Sequence, residues 1–114
     1  MKLAQTVPEL SVPDVRAAQE YYRDKLGFEI AWFNEAGRIG AVSSGDCAIF
    51  FRESAASAPA STFWMFAENV DGVFEAMKAR GADIADPLSD KPWGLRQFTM
   101  RDFAGNLFHV HHDL

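Results

Sequence analysis

Residues 106–112 read NLFHVHH, which places His109, His111 and His112 within one short run. On a strand, side chains alternate between faces, so His109 and His111 share a face. A His-x-His pair on a strand is a metal-binding arrangement, and Glu9 near the start of the chain is a third candidate donor. A catalytic divalent ion needs several convergent nitrogen or oxygen ligands and an open position. Against this stands the position of His111 and His112 beside the end of the sequence, where strands fray; that reading makes them a solvated terminus. His109 then becomes a hydrogen-bonded polar group lining a cleft. The second chemically informative group is aromatic. Trp93 sits in a Pro-Trp-Gly segment, where the needs of a core do not readily explain a large indole. Arg96 and Arg101 are candidates for holding acidic ligand groups, with ion pairs to Asp90 and Asp102 as the plainer role. No Gly-rich phosphate loop, Gly-x-Ser-x-Gly elbow or Cys-x-x-Cys is present.

The remaining composition narrows the classes. A chain of 114 residues makes one small domain, or one subunit of an assembly, and 48% apolar residues are enough for a globular core. Lysine and arginine number 11 against 16 acids, a net charge of −5. That balance, with no basic cluster, argues against nucleic acid and is compatible with a cationic ligand. Cys47, the single cysteine, lies in the apolar run CAIFF and reads as a small buried hydrophobe. MKLAQTVPEL has no long apolar core of a leader, and no stretch reaches the ~20 apolar residues of a membrane span, so a cytoplasmic location is expected.

The elements that must carry these residues follow from periodicity. LAQTVPELSV (3–12) reads as a strand, at an edge because Pro8 cannot donate. A helix opens at Pro13-Asp14, with Val15, Ala18, Tyr22 and Leu26 on one face and Gly27 as its stop. Strands over 28–34, 38–44 and 47–52 form a meander, and 53–61 reads as a linker. A strand over 62–68 leads to a helix capped by Asn69 or Asp71, with Val70, Val73, Phe74 and Met77 buried and Gly81 as its stop. ADIAD (82–86) reads as a short strand and PLSDKPWG (87–94) as a loop. Strands over 95–101 and 106–112 form a hairpin across Asp102-Phe103-Ala104-Gly105. The order is β-α-β-β-β twice, in repeats 1–52 and 62–114. One helix covers only one face of each repeat's sheet, so the other face needs a second half, another subunit or a ligand.

VPELSVPDVRAAQEYYRDKLGFEI, WMFAENVDGVFEAMKARGADI and KPWGLRQFTMRDFAGNLFHV together resemble the glyoxalase / bleomycin-resistance / extradiol-dioxygenase (vicinal oxygen chelate) superfamily over nearly the whole chain. The Pro-Trp-Gly segment followed by RDFAGN is most similar to the bleomycin resistance proteins, which bind the drug without transforming it. The resemblance implies a single α+β domain of two βαβββ modules forming a curved mixed sheet around a cleft. It implies a homodimer with exchanged N-terminal strands and drug sites at the dimer interface. The superfamily's enzymes hold a divalent metal, and their ligand positions fall on Val7, on or near Phe50, on Thr62 and on His109. Only His109 is a strong ligand, so no cofactor and no metal are expected.

If those positions point inward, Thr62, Trp64 and Phe66 line the cleft with Ala48, Phe50, Arg52, Leu107 and His109. Trp32 and Trp93 align with aromatics that contact drug in the resistance family. The expected site is therefore Trp32, Phe50, Trp64, Phe66, Trp93 and His109, a lining suited to a flat aromatic or cationic molecule. For Trp64 and Phe66 the competing role is simple core packing. The expected activity is metal-independent antibiotic sequestration, with a metal-dependent glyoxalase- or dioxygenase-like enzyme using His109 as the alternative.

Overall fold

The computed structural model describes residues 1–56 and 58–114, so the expected linker 53–61 falls partly outside the described residues. The chain divides into two compact units, Met1–Ala58 and Pro59–Leu114, each with one helix and one four-stranded sheet.

In the first unit the elements are β1 (Glu9–Val12), α1 (Val15–Leu26), β2 (Glu29–Asn34), β3 (Ile39–Ser44) and β4 (Cys47–Glu53), with sheet order β1-β4-β3-β2. β1 pairs parallel with β4 of its own chain; the other pairs are antiparallel. The strand expected over 3–12 is only Glu9–Val12, although the Pro8 carbonyl still accepts from the Phe50 amide at 3.0 Å. Asp14 caps α1 by accepting from the Ala17 amide at 3.1 Å, and Gly27, at φ 70, ends it in the left-handed region. Val15, Ala18, Tyr22 and Leu26 are buried as the spacing required. Tyr22 packs edge-on against Phe28 and Phe51, with centroids 5.6 and 4.9 Å away.

Gln19, also buried, was not on that face by hydrophobic pattern. Its amide donates to the carbonyls of Trp32 at 2.8 Å and Ala41 at 3.1 Å, beside a register shift between Ile30 and Trp32. The helix lies so close to β3 there that a Cβ on Gly40 would approach Gln19 Nε2 to 2.7 Å and Val15 Cγ1 to 2.8 Å.

In the second unit the elements are β5 (Thr62–Phe66), α2 (Val70–Ala79), β6 (Asp83–Asp90), β7 (Leu95–Arg101) and β8 (Leu107–Asp113), in sheet order β5-β8-β7-β6. Asn69, not Asp71, caps α2, accepting from the Gly72 amide at 3.0 Å. Phe74 of α2 packs on Phe98 of β7, centroids 5.1 Å apart, and Val70, Met100, Phe108 and Val110 complete a buried face.

Two expectations change here. The segment 87–90 is strand and not loop: β6 runs through Pro87, with a register shift between Asp86 and Ser89. Edge position makes this tolerable, because a proline there deprives no neighbour of a donor. The fraying expected at His111 and His112 is also absent. β8 continues to Asp113, is paired with both β5 and β7, and the Leu114 amide donates to the Gly94 carbonyl at 3.1 Å.

The hairpin turn is built by Asp102. Its buried carboxylate accepts from the amides of Ala104 and Asn106 and from Asn106 Nδ2, each at 2.9 Å. Arg101 pairs instead with Asp83, at 3.0 Å, and Arg96 joins Asp71 to Asp90, at 2.7 and 2.9 Å. Among the described residues no helix is long and apolar enough to cross a membrane.

Candidate functional site

Strand parity sorts the second sheet into two faces. Phe98 and Val110 face α2, so their neighbours Gln97, Thr99, His109 and His111 face the other way. The parallel register Trp64↔His109 and Phe66↔His111 adds two residues of β5 to that open face. Trp64 is 55% exposed and Phe66 64%, so neither is core. Trp64 leans on His109 with centroids 4.5 Å apart, and both Trp64 and Phe66 meet His111 edge-on, at 5.6 and 6.1 Å.

Trp93 reaches the same face from the turn between β6 and β7. Gly94, at φ 90, takes the left-handed conformation that turn requires, and the Gly94 amide donates to the Lys91 carbonyl at 3.1 Å. The indole is 59% exposed, and its Nε1–H donates to Gln97 Oε1 at 3.0 Å. Of the expected site residues, Trp64, Phe66, Trp93 and His109 are therefore assembled on one sheet face. Trp32 and Phe50 belong to the first unit, where they pack together edge-on at 5.1 Å with Trp32 half exposed.

Sequence reasoning missed the polar floor. Gln97 and Thr99 are buried on this face, and both approach His109 Nδ1: Thr99 Oγ1 at 2.6 Å and Gln97 Nε2 at 3.4 Å. The hairpin register could have disclosed them, since Arg101 opposite Leu107 sets Thr99 opposite His109 and Gln97 opposite His111. Beside them Lys91 Nζ donates to Asp86 at 2.6 Å. Burial lowers the His109 pKa from its ordinary 6.5; Asp86 opposes this, and His111 and Lys91 add to the lowering. This favours the neutral imidazole of His109 over the imidazolium. His111 Nδ1 is buried and has no hydrogen-bond partner among the described residues. His112 turns to the opposite face, where its Nδ1 lies 3.1 Å from the Glu68 carbonyl at the start of α2.

The residues do not fit a metal of the kind the superfamily's enzymes use. Val7 and Phe50 carry no ligating side-chain atom and Thr62 offers only a hydroxyl, which leaves His109 as the one strong donor among those positions. Glu9 is held by Arg52, Nε to Oε1 at 2.9 Å. No group of three or more His, Cys, Asp or Glu able to hold an ion occurs among the described residues. Cys47 is half-buried, and burial pushes its thiol pKa up, which keeps it protonated and unreactive at neutral pH.

Comparison with solved structures returns one fold. TioX from Micromonospora sp. ML1 superposes with a TM-score of 0.83 at 30% identity, covering 97% of this chain and 99% of TioX. A bleomycin-binding protein complexed with bleomycin gives 0.81 at 17% identity, over 98% and 100% of the two chains. A glyoxalase-related enzyme from Clostridium phytofermentans gives 0.79 at 15% identity, over 100% and 98%. Among the curated proteins no match is found. The family model of the Glyoxalase/Bleomycin resistance protein/Dioxygenase superfamily matches residues 2–110, and with the two βαβββ units described above, this chain belongs to that superfamily.

Proposed function

We propose that this chain is a metal-independent binding protein for a small planar aromatic ligand. A bleomycin-type antibiotic, held in sequestration, is the specific candidate. The observation that carries the reading is the open face of the second sheet. Trp64, Phe66 and Trp93 expose large ring surfaces beside a buried polar floor of Gln97, Thr99 and His109. A concentrated aromatic surface with a few fixed polar groups is what a flat ligand needs, and scattered single exposed hydrophobics are not. The net charge of −5 adds a weak attraction for cationic ligand tails. Binding of this kind makes and breaks no covalent bond, and resistance follows from a lower free drug concentration.

The shared fold does not choose between binder and enzyme, because the bleomycin-binding protein and the glyoxalase-related enzyme both have it. The donor set favours the binder: among the described residues His109 stands without the partners a catalytic ion requires. A homodimer belongs to the same proposal, with β1 kept in its own chain's sheet beside β4. Each unit's helix covers one sheet face, which leaves the aromatic face for a second copy and its ligand. Analytical ultracentrifugation of the full chain should then show a dimer, and a monomer would remove this part of the proposal.

The decisive experiment is a fluorescence and calorimetric titration of metal-stripped protein with metal-free bleomycin. Saturable binding near one drug per chain is expected, weakened about tenfold or more by Trp93→Ala. Absence of binding removes the drug. Stoichiometric uptake of a divalent metal that His109→Ala abolishes would transfer the proposal to the enzymes.

A further inference from the structure

The hydrogen bonds around His109 run in one direction, and their starting point is unambiguous. An indole Nε1–H donates and cannot accept. Trp93 Nε1 lies 3.0 Å from Gln97 Oε1, so that end of the Gln97 amide is the carbonyl. The other end, Nε2, is then an NH₂ group, and it lies 3.4 Å from His109 Nδ1. Two N–H groups cannot face each other there, so Nδ1 must be the unprotonated, accepting nitrogen. Thr99 Oγ1, at 2.6 Å from the same nitrogen, has a hydroxyl that rotates to either role and follows by donating. The proton of the neutral ring is left on Nε2. No hydrogen bond within the chain reaches Nε2 among the described residues, and it is not among the buried atoms left without a partner. It is therefore open to whatever lies on the sheet face. Gln97 is buried, so water does not compete to turn its amide.

We infer that Gln97 is a positioning residue that fixes His109 as the Nε2–H tautomer, so that the aromatic face presents one hydrogen-bond donor to its ligand. The ligand class this selects is a flat heteroaromatic molecule with an acceptor on its edge, a ring nitrogen or carbonyl, stacked beside Trp64 and Trp93. The ligand half of this inference rests on the binding function proposed above; the tautomer does not.

Two measurements test it. Long-range ¹⁵N–¹H correlation spectra of the unliganded protein at pH 8 should show the His109 proton on Nε2. Trp93→Phe removes the N–H that orients the amide and should give a mixture of tautomers. Gln97→Glu replaces the NH₂ group by an acceptor and should move the proton to Nδ1. Binding is then compared for isoquinoline, neutral at that pH, and naphthalene, which has the same shape without the acceptor. One neutral hydrogen bond predicts a preference for isoquinoline of about 2- to 12-fold. Gln97→Glu should abolish that preference.

An Nδ1–H proton in the unsubstituted protein overturns the inference without touching the binding function. Equal affinity for the two probes overturns the donor role. Failure of both probes to bind removes the donor role and the aromatic-binding function together, whatever the tautomer. If Gln97→Glu does not fold, Trp93→Phe and the unsubstituted protein still decide between the tautomers.

Discussion

Gln19 offers the sharpest test of how the first unit holds its shape. One side-chain amide donates to two main-chain carbonyls, those of Trp32 and Ala41, where β2 shifts register against β3. Gln19→Leu keeps the size of the side chain and removes both bonds. Each buried hydrogen bond contributes about 1–1.5 kcal/mol net, so the loss is about 2–3 kcal/mol. The upper end applies because the Ala41 bond is buried and water does not replace the donor. For a domain of this length that lowers Tm by about 8–12 °C, a large part of a total stability of order 5–15 kcal/mol. Urea unfolding monitored by circular dichroism should show the midpoint fall with the slope unchanged. Gln19→Glu should cost more than Gln19→Leu at pH 7, since a carboxylate then faces two carbonyl oxygens in a buried place. A loss below about 0.5 kcal/mol for Leu, or a milder effect for Glu than for Leu, would refute the assignment of the amide as donor.

Three further outcomes are expected. Gly40→Ala forces a methyl into Gln19 and Val15, and should destabilise by about 1–3 kcal/mol in the same assay; combined with Gln19→Leu it should be less than additive. Asp102→Ala leaves two turn amides and the Asn106 side chain without their acceptor and should cost about 3 kcal/mol, read by thermal unfolding. His109, with its folded-state pKa below 6.5, binds its proton more readily when unfolded. Its contribution to stability is therefore complete above pH 6.5 and is lost as pH falls from there through the folded-state pKa. His109→Gln should flatten that part of the stability–pH curve in urea titrations between pH 8 and 5.

Helices and most strands were legible because their signals are local. Asp14, Gly27 and the Val15–Ala18–Tyr22–Leu26 spacing mark α1 whatever surrounds it. The exposed face of β5 was legible as a shared face, but its role was not, since a strand's own residues do not say which face a helix covers. Trp64 and Phe66 could equally have been core until Phe98 and Phe74 were seen to fill the other side. Gln19, Gln97 and Thr99 were illegible for a different reason. Each is a polar residue whose burial depends on particular side-chain or main-chain partners, and hydrophobic periodicity does not encode those. The strand through Pro87 was missed because proline normally argues against a strand, and only position within the sheet, not composition, makes an exception.

That proline has a consequence for the protein at high concentration. β6 is an outer strand, and an outer strand offers its spare backbone groups to any other chain. Here Pro87 withholds one amide, and the breaks in register at Ile84–Asp86 and Asp86–Ser89 spoil the spacing of the rest. Asp83, Asp86 and Asp90 repeat along the same strand, each ion-paired to Arg101, Lys91 or Arg96, so another chain would have to pack against a row of charged side chains. The second sheet is thus closed to growth on this side by its own irregularity, and a protein with so much bare aromatic surface is kept from stacking into fibres along that edge.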